Sequence, residues 1–136
     1  MKTSNFKNYK GDRGVAICIY PPIDWTGERF PALCPDRDTF FSKKMNNISE
    51  EEYDKQYRES VLSKLDPHKI YSILKDRVLL CWEDPEFDKD GNIINSGSGF
   101  CHRHIVSKWI LENLGIEVKE WRPGDDDTNY IQIQLF

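Results

Sequence analysis

No stretch of this chain stays apolar long enough to cross a bilayer. The longest unbroken apolar runs, Val15 to Tyr20 and Val78 to Trp82, reach roughly a quarter of the length that a spanning helix needs, so no membrane contact is expected. Positive charge is also scarce: 19 Lys and Arg stand against 23 Asp and Glu, giving a net charge of -4 and a pI of about 5.4. Without a global positive field, nonspecific attachment to nucleic acid by counterion release is not expected. Met1 to Gly11 is polar and Lys/Asn-rich, and it lacks the apolar core of a secretory leader. The four cysteines lack the spacing of a small secreted disulfide framework. Together these absences predict a cytoplasmic chain whose cysteines are thiols, or some of them ligands. Internal repeats and low-complexity tracts are missing as well.

What remains is an ordinary globular composition. With 136 residues, 38% hydrophobic and 12% aromatic, the chain can bury a core without staples and is too aromatic to be disordered. The expectation is a single domain over 1–136, with its core at about 15–121 and an edge strand at about 130–136.

Periodicity orders the elements. Val15 to Tyr20 is a β-prone run ended by Pro21 and Pro22, which predicts a strand buried on both faces. Residues 21–47 show no sustained period and read as a long loop carrying Trp25, Phe30, Phe40 and Phe41. Ser49 with Glu52 forms a capping box, and Ile48 with Tyr53 a hydrophobic staple; the helix they open buries Tyr53, Tyr57, Val61 and Leu65. Asp66 and Pro67 open a second helix with Ile70, Tyr71, Ile73 and Leu74 on its buried side. Val78 to Trp82 predicts another buried strand, followed by a polar loop to Gly99. A helix runs from Cys101 through Leu114 to Gly115, a C-terminal stop. Ile116 to Trp121 predicts a third strand, and Tyr130 to Phe136 alternates as a half-exposed edge strand. This order is that of a small three-layer, Rossmann-like α/β domain with a mostly parallel sheet.

Such sheets bind ligands beyond the carboxyl ends of their strands, and the chain's most reactive residues fall there. Tyr20 ends one strand, Cys81, Trp82 and Glu83 end the next, Cys101, His102 and Arg103 open the following helix, and Trp121 ends the third strand. A helix start stabilises an anion and lowers a cysteine pKa, so Cys101 reads as a candidate nucleophile with His102 or Glu83 for proton transfer. The bland alternative is a packed cysteine beside a solvent-facing histidine. Cys81, Cys101, His102 and His104 include metal-ligand types, but the spacing matches no recognised zinc pattern. His102 and His104, two apart on a helix, diverge. No metal or other cofactor is therefore expected. Cys18 reads as core and His68 as surface. Cys101 is not a phosphatase-type nucleophile, because Ser107 stands where that loop carries arginine.

Several of these residues carry a resemblance. Tyr20-Pro21-Pro22, Leu33-Cys34-Pro35-Asp36-Arg37, Tyr53 with Tyr57, Leu79 to Glu83, and Cys101-His102-Arg103-His104 resemble the bacterial and phage family called domain of unknown function 488, over about Val15 to Glu120. The longer segment from Asp84 to Phe100, and Cys34 where a small residue is common, depart from its pattern. The resemblance implies the fold and the site but no reaction.

Two kinds of function remain open. One is binding of a small anionic, nucleotide-like ligand by Tyr20, Arg37, Cys81, Trp82, Arg103 and Trp121, either with chemistry at Cys101, His102 and Glu83 or as plain sequestration. The other is a protein-interaction module using the aromatic loop and the terminal edge strand, through which a homodimer would form.

Overall fold

A computed structural model gives the fold and describes residues 1–82, 86–95 and 101–125. Among the described residues, five short parallel strands form the main sheet: β1 (Lys2–Asn5), β2 (Gly14–Ala16), β3 (Glu28–Arg29), β4 (Val78–Cys81) and β7 (Lys119–Glu120). Their spatial order is β3-β2-β4-β1-β7. Between β4 and β7, β5 (Glu86–Phe87) and β6 (Ile93–Asn95) pair antiparallel as a separate small ribbon. Four helices complete the domain: α1 (Arg37–Lys44), α2 (Glu50–Ser60), α3 (Pro67–Leu74) and α4 (His102–Leu114). The architecture is the expected small, Rossmann-like α/β domain. No helix among the described residues is long and apolar enough to cross a membrane.

The helix boundaries follow their caps. Ser49 accepts a hydrogen bond from the Glu52 amide at 3.1 Å, Asp66 accepts from the His68 amide at 2.9 Å ahead of Pro67, and Gly115 closes α4 in the left-handed region at φ 69°. A side chain there would strain the backbone, so glycine is the fitting terminator.

Two faces of the sheet carry different covers. Val15, Ile17 and Leu79 pack with Tyr53, Tyr57, Ile70, Leu74, Ile105, Val106 and Ile110 into the larger core beneath α2, α3 and α4. On the other side, Ala16, Val78 and Leu80 meet Phe6, Tyr9, Trp25 and Trp121. The second cover is thus built from loop aromatics, where a Rossmann-like plan would place helices.

Three elements differ from the sequence reading. Lys2–Asn5, read as part of a polar N-terminal segment without a strand, is an interior strand of the sheet, hydrogen-bonded in parallel to both β4 and β7. Thr3 and Asn5 tolerate burial because they are bonded: Thr3 donates to Glu120 at 2.7 Å, and Asn5 Oδ1 accepts from the amides of Lys7 and Asn8, whereas the buried Ser4 hydroxyl has no hydrogen-bond partner among the described residues. Residues 21–47 are not one loop, since they hold β3, a 3-10 turn at Pro31–Leu33 and α1. Asp36 caps α1 by accepting from the Thr39 amide, and Thr39 is the one buried residue of that helix, too weak an apolar face to read as a period. Ile73, expected in the core, is exposed, because α3 turns only Ile70 and Leu74 fully inward. The edge strand expected at 130–136 lies outside the described residues.

Candidate functional site

The chain leaves β2 toward β3 on one side and leaves β4 through α4 toward β7 on the other. Diverging connections open a crevice at the carboxyl ends of two neighbouring parallel strands. A cavity of about 570 Å³ lies there, lined by Ile19 and Tyr20 after β2, by Cys81 and Trp82 of β4 and its end, and by Cys101 and His102 at the start of α4. Pro35, Phe40, Lys43, Lys44, Glu50 and Tyr53 supply the remaining wall.

The floor is a compact group of three buried side chains. Cys81 Sγ, Cys101 Sγ and a ring nitrogen of His102 all lie within 4.8 Å of one another. His102 Nδ1 is 3.5 Å from Cys81 Sγ and 3.8 Å from Cys101 Sγ. On the far side of the ring, Nε2 lies 2.7 Å from the Ile17 carbonyl. A carbonyl can only accept, so Nε2 carries the hydrogen and Nδ1 is the atom turned to the sulfurs. Tyr57 holds the same ring edge-on at 5.4 Å, and is itself anchored by a 2.6 Å hydrogen bond from its hydroxyl to the Leu33 carbonyl.

Cys101 occupies the cap position of α4 with an extended backbone, φ -161° and ψ 148°, and its side chain makes no cap hydrogen bond. Its sulfur faces Cys81 and His102 instead. Burial opposes a thiolate at Cys101, but the hydrogen bond from Cys81, the adjacent His102 ring and the nearby Arg103 charge outweigh it and draw its pKa down. Cys81 moves the other way, because its hydrogen bond to Cys101 and its burial both favour the thiol. The hydrogen bond between the two sulfurs therefore favours the proton on Cys81 over Cys101. All four cysteines are free.

Tyr20 and Trp82 line the cavity as expected, and Trp82 Nε1 donates to the Tyr20 carbonyl at 2.7 Å, tying its two walls together. Three other expected residues stand elsewhere. The Arg103 side chain is 0% exposed and donates from Nε and Nη2 to Glu120 at 3.2 and 2.9 Å. It is not among the cavity-lining residues, because α4 turns it inward toward the sheet, and its charge acts on Cys101. Arg37 opens α1 on the exposed surface. Trp121 packs edge-on against Tyr9 at 5.1 Å on the opposite face of the sheet. Glu83, and with it the expected pairing to Arg103, lies outside the described residues.

Lys43, Lys44, Phe40 and Glu50 were missed. The first three sit on α1, whose cap signal Asp36-x-x-Thr39 was present in the sequence and would have placed both lysines in the last turn of a helix. No protein-family model matches the chain, and neither a curated protein nor a solved structure matches it.

Proposed function

We propose that the cavity between the ends of β2 and β4 binds a small anionic ligand carrying a planar ring, of nucleotide-like chemistry. The observation that carries this reading is the meeting of two cations, Lys43 and Lys44, with the rings of Tyr20, Phe40, Tyr53 and Trp82 around one cavity. Aromatic walls favour a flat ring, and lysines favour a phosphate or carboxylate. One carboxylate, Glu50, stands among the described lining residues, a suitable acceptor for a ring amine or a sugar hydroxyl. The volume is in the range of small-molecule sites.

The motif resemblance to the domain of unknown function 488 family supports the same location and names no reaction. Cys101 is the cavity's candidate for covalent chemistry and His102 for proton transfer; plain sequestration of the ligand is the alternative use.

A thermal-shift panel of nucleoside phosphates, sugar phosphates and aromatic carboxylates tests the reading. A true ligand at a hundred times its dissociation constant stabilises the fold by about 2.7 kcal/mol. Lys44→Ala is expected to weaken that ligand by about 10-fold, the scale of one charge-assisted hydrogen bond, while changing unliganded stability by less than about 0.5 kcal/mol. A panel without a single shift, or a ligand indifferent to Lys44→Ala and Trp82→Ala, contradicts the reading.

A further inference from the structure

We infer that Cys81, Cys101 and His102 form a three-ligand site for a thiophilic divalent cation, zinc by the chemistry of its donors, with a fourth position bordering the cavity. The inference goes beyond ligand binding and stands independently of it.

Geometry is the first support. A tetrahedral zinc ion, with sulfur at about 2.3 Å and imidazole nitrogen at about 2.0 Å, sets sulfur–nitrogen separations of about 3.6 Å. The two observed separations are 3.5 and 3.8 Å, and all three donor atoms lie within 4.8 Å of one another. Both sulfur–nitrogen separations fit that sphere, and the two sulfurs, which tetrahedral geometry would set about 3.8 Å apart, lie within 4.8 Å.

Orientation is the second. A ligating histidine usually donates its other ring hydrogen to a carbonyl or carboxylate, which fixes the tautomer and aims the lone pair. His102 does this through Nε2 to Ile17 at 2.7 Å, with Nδ1 left facing both sulfurs. Tyr57 against the ring resists its rotation.

Charge and access complete the case. Two thiolates and a dication sum to zero, which suits three side chains that are each at most 5% exposed, whereas two buried thiolates without a cation would be costly. Sulfur and imidazole donors select zinc or its neighbours over magnesium and calcium. All three residues line the cavity, so an ion among them borders it too, and three protein ligands with an open position is the pattern of a catalytic zinc site more than of a closed structural one. A water molecule or an anionic oxygen of a ligand would complete the sphere. Binding forms two metal–sulfur bonds and one metal–nitrogen bond, releases to solvent the proton still held between the two sulfurs and moves no electrons.

The chain order hides this set. Cys101 and His102 are adjacent, and their partner Cys81 reaches them across the sheet, so no compact motif appears. His104 does not join them.

Cobalt(II) titration of the reduced, chelator-stripped full chain, without organic ligand and without oxygen, tests the site. The expected result is saturation at one equivalent, with thiolate-to-cobalt charge-transfer absorption, the visible bands of a tetrahedral ion, and displacement by zinc. Cys18→Ala/Cys34→Ala retains these bands. Cys81→Ser, Cys101→Ser and His102→Asn lose more than the roughly 100-fold in affinity that loss of an outer partner can cost. Absence of the charge-transfer band in the wild type overturns the inference, as do bands that survive in Cys81→Ser/Cys101→Ser and vanish in Cys18→Ala/Cys34→Ala. The wild-type spectrum decides even if a variant misfolds, and a negative result leaves the anionic-ligand reading intact.

Discussion

The protein holds two cysteine pairs in opposite chemical settings. Cys34 donates its thiol hydrogen to the Cys18 carbonyl at 3.3 Å. Burial, reinforced by the neighbouring Cys34, pushes the Cys18 thiol up to about 12, and burial likewise raises Cys34 against a modest opposing pull from Arg29. Cys81 and Cys101 are more deeply buried, yet Cys101 is drawn down, because it has the Cys81 hydrogen bond, His102 and Arg103 around it. Burial by itself makes an inert thiol. What distinguishes the second pair is placement at a strand end facing a helix start, where donors and a cation converge.

The largest expected effect comes from removing the cation beneath the reactive pair. Arg103→Met leaves the Glu120 carboxylate without its buried partner and is expected to cost about 3–5 kcal/mol, a fall in melting temperature of roughly 10–20 °C for a domain of this size. If the melting temperature holds and only ligand binding suffers, Arg103 is a ligand contact and its pairing with Glu120 does not hold the fold. Tyr57→Phe is next. It strips the Leu33 carbonyl of a buried partner, for about 1–3 kcal/mol, and loosens the wall behind His102; a variant as stable as the parent would detach Tyr57 from the site's architecture.

The effect that is smallest at neutral pH probes the inert pair. Below pH 9 the Cys18 thiol keeps its proton in both the folded and unfolded chain. Above the ordinary value of 9.0 the unfolded chain loses that proton first, since the folded thiol titrates at about 12, so stability falls across that interval. Cys34 acts in the same direction. Cys18→Ala should flatten the decline between pH 9 and 12, measured by denaturant unfolding. An unchanged slope would mean that Cys18 is not held as a thiol by burial.

Strong local signals let much of the fold be read in advance. The caps at Ser49 and Asp66, the buried run Val78–Cys81 and the stop at Gly115 each declare themselves within a few residues. The strand Lys2–Asn5 could not, because its burial depends on Glu120 and on turn amides that only the folded chain brings to Thr3 and Asn5. The site was legible to a similar degree. Residues at the strand end and helix start could be named as Cys81, Cys101 and His102, since parallel sheets gather chemistry there. Arg103 could be named but not oriented, because its role rests on Glu120, 17 residues on. Lys43 and Lys44 stayed hidden with the weakly amphipathic helix that carries them.

The contrast between the two pairs has one direct measurement. Brief treatment of the native, reduced and chelator-stripped protein with iodoacetamide at neutral pH, followed by peptide mass mapping, reports which sulfur reacts first. At neutral pH a thiol titrating near 12 is thiolate in only about one molecule in a hundred thousand. Cys101, in contrast, borders an open cavity with its thiolate favoured. The account predicts carbamidomethylation of Cys101 at least about 10-fold faster than of Cys18 or Cys34. Labelling of Cys18 or Cys34 first, or of all four cysteines together, would contradict it.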